Sequence, residues 1–284
     1  MRIDLHTHSS ASDGTDSPAI LVRNAAAAGL DVVALTDHDT TAGWDDAVAA
    51  LPSGLRLVRG MEMSCTGRGE DGYPVSVHLL AYLFDPADPS FVAELERLRG
   101  ERVARIRAMA QRMAEDGLPI DADAVIAQAG PAAGRPHLAR ALVDAGVVPT
   151  VGDAFTELLS ARGRYYVRKV DTPLAEAVAM VASAGGVTVV AHARARARGR
   201  LLALDHIEEL AELGLGGVEA DHPDHSEEDV RLMKDLGASL GLFVTGSSDY
   251  HGANKTVGLG RFTTPPDAYE QMLDAAKGVE VVLG

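Results

Sequence analysis

Short apolar runs rich in β-branched residues recur along this chain, each followed by a longer stretch of helical periodicity, and that alternation admits few folds. Residues 2–5, 31–35, 55–61, 75–81, 187–191, 216–220 and 241–245 read as strands, with a last run at 279–283. Residues 18–28, 173–183, 205–213, 227–236 and 267–275 read as helices between them. Such alternation points to βα units. Ser17-Pro18 and Thr172-Pro173 each place a hydroxyl before a proline, the pattern of a capped helix start. From 89 to 171 the alternation stops. A long amphipathic helix is expected at 91–114 and shorter ones at 121–128, 136–144 and 151–159. Roughly eighty residues without a strand is too long for a loop. Residues 1–88 and 172–284 are therefore expected to form one discontinuous α/β domain, and residues 89–171 a helical insertion.

Composition narrows the function. Of 284 residues, 26 are Lys or Arg and 41 Asp or Glu, a formal charge of −15. Tracking a phosphate backbone or an anionic lipid surface needs Lys and Arg, so duplex DNA and membranes are poor partners. A small phosphate held by a local cationic site stays open. Aromatic residues are only 4%, which leaves the core to Ala, Val, Leu and Ile. The single cysteine, Cys65, excludes an internal disulfide and a multi-cysteine zinc site. It fits a reducing cytoplasm. No apolar run approaches the roughly 18 residues of a membrane span. The opening MRIDLHTHSS has no apolar signal core, so a cytoplasmic protein is expected.

The carboxyl ends of the expected strands carry the chemistry. The first run leads into His6-Thr7-His8, whose imidazoles share a face on an extended chain. Asp13 follows in a short loop. The second run leads to Thr36-Asp37-His38-Asp39, the third to Met61-Glu62, the fifth to His192, and the seventh to Asp249-Tyr250-His251; the fourth contains His78. Six of the ten histidines and three carboxylates thus sit at or near strand exits. In βα barrels those exits converge on one face. Imidazoles mixed with carboxylates suit divalent Mn, Fe or Zn better than Mg or Ca.

At these residues the chain resembles the PHP (polymerase and histidinol phosphatase) family of phosphoesterases. The matching elements are Asp4-Leu5-His6-Thr7-His8-Ser9, Asp13-Gly14, Leu35-Thr36-Asp37-His38-Asp39, Gly60-Met61-Glu62, Val77-His78, Ala191-His192 and residues 246–252. Gly134-Arg135-Pro136-His137 resembles a narrower branch, the nucleoside 3′,5′-bisphosphate phosphatases and short-RNA 5′→3′ exonucleases. The resemblance implies an α/β fold, a distorted (β/α)7 barrel of PHP type, with the insertion covering the active-site face. It implies two or three divalent metal ions. One takes His6, His8, Glu62 and Asp249; a second takes Asp13, His38 and His251; a third takes Glu62, His78 and His192. The strand exits alone give these nine residues but not their partition. Asp13, His38, Asp249 and His251 are implied to act in catalysis as ligands of the ions that activate water, and a metal-bound hydroxide attacks phosphorus. Three ions against three carboxylates leave a formal +3 and two ions leave +1, a pocket suited to a phosphate monoester.

The resemblance thus implies hydrolysis of a phosphate monoester of a small nucleotide, a nucleoside 3′,5′-bisphosphate first. A histidinol-phosphatase-like or other small-molecule phosphatase and a short-RNA 5′→3′ exonuclease are the alternatives. A non-catalytic metal- or nucleotide-binding module ranks last, because no ligand type is missing. Arg135, at a helix start made by Pro136, is the expected phosphate contact, with His137 and Arg194 behind it. Asp4 and Asp37 are candidates to orient ligating imidazoles. Arg168 and Lys169 read as a solvated pair, and His206 as a residue on a helix surface. Arg194, Arg196, Arg198 and Arg200 form the most basic stretch, and Ala193 stands where relatives typically carry proline. His222 and His225 lie near the same face without an expected metal role.

Overall fold

The computed structural model describes residues 1–129, 133–160 and 163–284. The strands are β1 (Ile3–Asp4), β2 (Val32–Leu35), β3 (Arg56–Arg68), β4 (Pro74–Tyr82), β5 (Thr172–Pro173), β6 (Val187–Val190), β7 (Gly217–Asp221), β8 (Phe243–Gly246) and β9 (Val282–Leu283). The helices are α1 (Pro18–Ala27), α2 (Trp44–Ala49), α3 (Pro89–Glu115), α4 (Ala122–Ala129), α5 (Arg135–Asp144), α6 (Val151–Glu157), α7 (Leu174–Ser183), α8 (Leu204–Glu212), α9 (Glu227–Leu240) and α10 (Pro266–Ala275). The sheet order is β1-β2-β3-β4-β6-β7-β8, with β5 and β9 pairing onto β3. A bridge between Thr7 and Tyr250 joins the exits of β1 and β8, so the sheet nearly closes into a barrel. This is the expected α/β architecture, a distorted barrel with added helices.

Side-chain alternation divides the strands between two cores. Val33, Leu35, Leu57, Met61, Leu79 and Ala81 pack outward with α1, α7 and α8. Val32, Ala34, Val58, Leu80 and Tyr82 pack on the opposite face with Val187, Val189 and the α10 residues Tyr269 and Met272. Glu62 and His78 share the parity of this inner face, which carries them into the barrel mouth.

The structure departs from the sequence reading in one hairpin. β3 runs to Arg68 rather than stopping near Met61, and it pairs antiparallel with β4. β4 is also antiparallel to β6. His78 is therefore not at a parallel strand exit. It lies inside β4 opposite Ser64, and the reversed direction of β4 brings this part of the strand to the same rim. Thr172 does not cap a helix: it pairs with Cys65 in β5 and donates its hydroxyl to Glu94. Ser17 does cap α1, accepting from the Ile20 amide at 3.3 Å.

The helical segment begins on α3, which is 27 residues long and capped by Asp88. Its buried stripe is Phe91, Leu95, Leu98, Arg102, Ile106, Met109 and Met113, at helical spacing. The first three pack into the outer core of the barrel. The last three, with Val125, Leu138, Leu142, Leu159 and Tyr165, form a separate core. Arg102 sits where one core gives way to the other.

Candidate metal centre

The nine expected residues come together. Glu62 is 1% exposed and stands at the centre, touched by five imidazoles. Its Oε2 lies 3.2 Å from His6 Nε2, 3.0 Å from His8 Nε2 and 3.1 Å from His38 Nδ1. Its Oε1 lies 2.7 Å from His78 Nδ1 and 2.9 Å from His192 Nε2. Asp249 Oδ1 is 3.5 Å from both His6 Nε2 and His8 Nε2. Asp13 faces His251 Nε2 at 3.3 Å and His38 Nε2 at 3.6 Å. Donor atoms fall into three sets, each within 4.8 Å of one another: His6, His8, Glu62 and Asp249; His8, Asp13, His38 and His251; and His38, Glu62 and His78. The first two contain the expected groupings. The third has His38 beside Glu62 and His78, while His192 touches the same Glu62 oxygen from outside the set.

These donors suit cations. Four ligands about 2.1 Å from one ion in a tetrahedron are about 3.4 Å apart, the spacing seen around His6, His8, Glu62 and Asp249. Second partners set the tautomers. His6 donates Nδ1–H to Glu219 Oε1 at 3.1 Å, and His251 donates Nδ1–H to the Asp249 carbonyl at 2.8 Å. Each leaves its Nε2 lone pair facing the carboxylates. His8 Nδ1 is buried with no hydrogen-bond partner. Acceptors crowded in this way need positive charge among them.

The titration directions say the same. Burial opposes ionisation of Glu62, but His78, His38 and His6 hold its carboxyl well below the usual range. Burial likewise opposes ionisation of Asp249, and Lys255, His6 and His251 hold it low. His6 is raised well above an ordinary histidine: burial opposes the charge, and Glu62, Asp249 and Glu219 outweigh it. His251 is raised by Asp13 and Asp249 against burial. His38 is lowered, chiefly by burial.

Backbone strain collects here. Among described non-glycine residues, positive φ occurs at Asp39, Leu83, His192 and Asp249, three of them in or beside the cluster. Such conformations persist where the surroundings over-determine them. Gly14 allows the Asp13 loop to close: a Cβ there would lie 2.3 Å from the His8 carbonyl oxygen.

Several supporting residues differ from expectation. Asp37 binds no imidazole. It accepts from the Ser9 amide and hydroxyl and from Ser12, tying the Asp13 loop to the β2 exit. Asp4 accepts from the Ser248 and Gly260 amides and ties β1 to the β8 exit. The imidazole-orienting carboxylate is Glu219 on β7, fully buried, which binds His6 and the His192 amide. His222 is also part of the site, its Nε2 3.2 Å from Asp249 Oδ2. His225 is a clip: its Nδ1–H donates to the Ala220 carbonyl and its Nε2 accepts from the Arg194 amide. Lys169 is buried against Asp171 rather than solvated.

The basic residues divide sharply. Arg194 is buried and engages Glu70 at 2.6 Å and the Leu202 carbonyl, while Arg196 pairs with Asp229. Of the basic stretch it is Arg198 that reaches the cluster, donating to Asp249 Oδ2 at 2.9 Å. Lys255 Nζ donates to the same oxygen at 2.5 Å. Arg135 donates to the Leu159 carbonyl and lies over the Phe155 and Tyr166 rings. Arg105 shares the Tyr166 ring, and its buried Nε and Nη2 have no hydrogen-bond partner. Burial and then Arg135 push the Arg105 guanidinium down to about 10. His137 Nδ1 accepts from the Gly134 amide, and the ring lies beside Ser12 and Asp13.

The PHP domain profile matches residues 4–86, from β1 through the β3–β4 hairpin. Over 88% of its length the chain is 32% identical to a 3′,5′-nucleoside bisphosphate phosphatase of Chromobacterium violaceum, covering 87% of that protein. The chain belongs to the PHP family. A second relative, a 5′-3′ exoribonuclease of Haemophilus influenzae, is 35% identical over 67% of this chain and 68% of its own. A crystal structure described as a metal-dependent phosphoesterase from Bifidobacterium adolescentis superimposes with a TM-score of 0.89 at 38% identity, covering 98% of this chain and 96% of that one. The protein is accordingly a metal-dependent PHP phosphoesterase, and its cluster fits divalent cations. No helix among the described residues is long and apolar enough to cross a membrane.

Proposed function

We propose that this phosphoesterase removes one phosphate from a nucleoside 3′,5′-bisphosphate, using two or three ions of Mn, Fe or Zn. The observation that carries the reading is the position of Glu62, one carboxylate among five imidazoles with Asp13 and Asp249 on its flanks. His6, His8, Glu62 and Asp249 would hold one ion, and Asp13, His38 and His251 a second. Glu62, His78 and His192 would hold a third. Bound there, divalent ions acidify water and neutralise phosphate oxygens.

The protein's own part is to fix donors and substrate. Glu219 keeps the His6 Nε2 lone pair aimed inward, and the Asp249 carbonyl does so for His251. With Glu219 counted, the carboxylates Asp13, Glu62, Asp249 and Glu219 total −4, so two divalent ions give neutrality and three give +2. Arg198 and Lys255 add positive charge at the rim. Arg135, with His137 beside Asp13 and with Arg105 alongside, is read as the contact for the phosphate that stays on the nucleoside. The insertion, residues 89–171, is read as the cover of this face. Its support is the Arg102–Asp39 pair and the bond from Arg140 to Asn254 at 3.0 Å. The free, buried Cys65 agrees with a cytoplasmic setting.

The substrate class follows the Chromobacterium violaceum relative, similar along nearly its whole length. The Haemophilus influenzae exoribonuclease supports a second substrate, the end of a short RNA. The test is phosphate release from a nucleoside 3′,5′-bisphosphate by purified protein with Mn²⁺, beside a mononucleotide and a short oligoribonucleotide. Release from the bisphosphate that a chelator abolishes is expected. Undiminished turnover in chelated, metal-free protein refutes the reading.

A further inference from the structure

Arg198 enters the metal cluster from the turn Arg196–Arg198. Its Nη1 lies 3.0 Å from His192 Nε2, which also faces Glu62 Oε1 at 2.9 Å, and it donates there in the tautomer that leaves Nε2 unprotonated, the form a metal ion needs; its Nη2 donates to Asp249 Oδ2 at 2.9 Å. Its Nε donates to Asp224 Oδ2 at 2.8 Å, outside the cluster. His192 Nε2 has a single in-plane lone pair, which cannot serve a guanidinium N–H and a metal ion together. The two cations would also repel at that distance. Asp249 is not blocked in the same way. Its Oδ1 faces His6 and His8, and only Oδ2 is taken by Arg198, His222 and Lys255. Among the nine expected ligands, His192 is thus the one whose coordinating atom is held by an arginine. It is also the one outside the three converging donor sets.

Resting on the metal reading above, we propose that Arg198 is a resident competitor for the third divalent ion. With two ions bound, its guanidinium supplies positive charge beside Glu62 and Asp249 and occupies His192. A third ion binds by displacing it. The displaced side chain keeps Asp224 as a partner. The Arg198 side chain is 36% exposed, so it has solvent to move into, and the turn ends at Gly199 with φ 120°. The number of ions carried is then set by this protein's own side chain as well as by metal supply.

The test is a Mn²⁺ titration of the metal-stripped full chain by calorimetry, with bound metal counted per chain. Wild type is expected to show two tight events and a weaker third. Arg198→Gln removes the competing charge and should tighten the third event by about tenfold or more, a small part of the full repulsion between a guanidinium and a divalent ion. The second event should stay within about twofold, and the first should change far less than the third, because Arg198 meets Asp249 only at Oδ2 while Oδ1 faces His6 and His8. His192→Ala should abolish the third event in both backgrounds. An arginine that only supports the fold would give the opposite sign, looser metal on removal. Arg198→Met repeats the measurement if the Gln variant is unstable. A third event unchanged or weakened in the folded variant overturns the proposal and leaves the metal reading standing. A wild type that binds no Mn²⁺ overturns both.

Discussion

Replacing Arg102 by Met tests how the helical segment is joined to the metal-bearing barrel. Arg102 lies on the buried stripe of α3, where the barrel core passes into the insertion core. Its Nε donates to Asp39 Oδ2 at 2.5 Å and its Nη2 to Ser64 Oγ at 2.8 Å. Both partners of the ion pair are buried, Asp39 completely. Asp39 follows His38 directly and holds a positive φ, so the pair also fixes the exit of β2. Breaking such a pair leaves one charge buried and uncompensated, at a cost of about 3–5 kcal/mol. Lys169 stands 3.9 Å from the same carboxylate and offsets part of the loss, which argues for the lower end. In a chain of this size about 3 kcal/mol corresponds to a fall in Tm of roughly 6–10 °C. The sign with pH also follows. Burial opposes charge on Asp39, but Arg102 and Lys169 hold its carboxyl below the usual value. Its stabilisation is therefore complete above the ordinary carboxylate pKa of 3.8 and is lost as pH falls through the depressed folded value. The gap between wild type and Arg102→Met should be full at neutral pH and shrink in acid. Calorimetric melts at several pH values measure it. A Tm within about 2 °C of wild type at neutral pH would refute the reasoning, and Arg102→Met with Asp39→Asn should recover much of the loss.

The remaining predictions concern the site. Glu62→Gln takes one charge from five imidazoles and should lower bound metal and reduce kcat by about two orders of magnitude, the upper end of what losing even an outer partner of a metal costs; wild-type metal content in the variant would contradict a bridging role. Arg135→Ala should lose about one to two decades in kcat/KM on a bisphosphate, the worth of one charge-assisted hydrogen bond, with unchanged metal content. It should lose far less on p-nitrophenyl phosphate, and equal losses would place Arg135 in the chemistry or the fold. Metal uptake should release protons, because His6 and His251 are raised in the metal-free protein and must be neutral to bind. Affinity should thus fall, and proton release rise, as pH drops through their raised values; calorimetry in buffers of different ionisation enthalpy would detect this, and pH-independent affinity would count against the ligand assignment.

The nine-residue cluster was legible because each member stands out from its surroundings: polar residues do not end apolar strands without a reason. Glu219 was hidden by the same logic. It lies inside a short strand where a single carboxylate reads as the solvent-facing half of an alternation, and only barrel closure turns that face inward. The length of the β3–β4 hairpin is masked in the sequence because Ser64, Thr66 and Gly67 interrupt the apolar run, although alternation of residue type continues to Arg68. The short helix α2 carries Asp45 and Asp46 and too few apolar positions to show a period. Arg102 did leave a signal, a charge on an apolar stripe between Leu98 and Ile106. The alternate arginines 194, 196, 198 and 200 are equivalent in sequence, and the turn at Arg196–Arg198 sends one of them to the cluster and the others to carboxylates elsewhere.

The charge of −15 bears on the size of substrate such a site can take. On the proposed assignment the positive groups at the site, Arg198, Lys255, Arg135 and Arg105 with whatever ions are bound, are few and local. At physiological ionic strength their influence on exposed phosphates fades over about 8 Å. A nucleoside bisphosphate would keep both phosphates within about that reach, one at the cluster and, on that assignment, one toward Arg135. Each further nucleotide of an RNA strand adds a phosphate beyond that reach, against a chain of net charge −15. The same distribution leaves the end of a strand acceptable, since its first phosphates enter before the rest must be accommodated. Charge alone thus ranks a bisphosphate first and the end of a short RNA second. The order comes from the contrast between a few local cations and the net acidity of the chain, and it is independent of the identity of the metal.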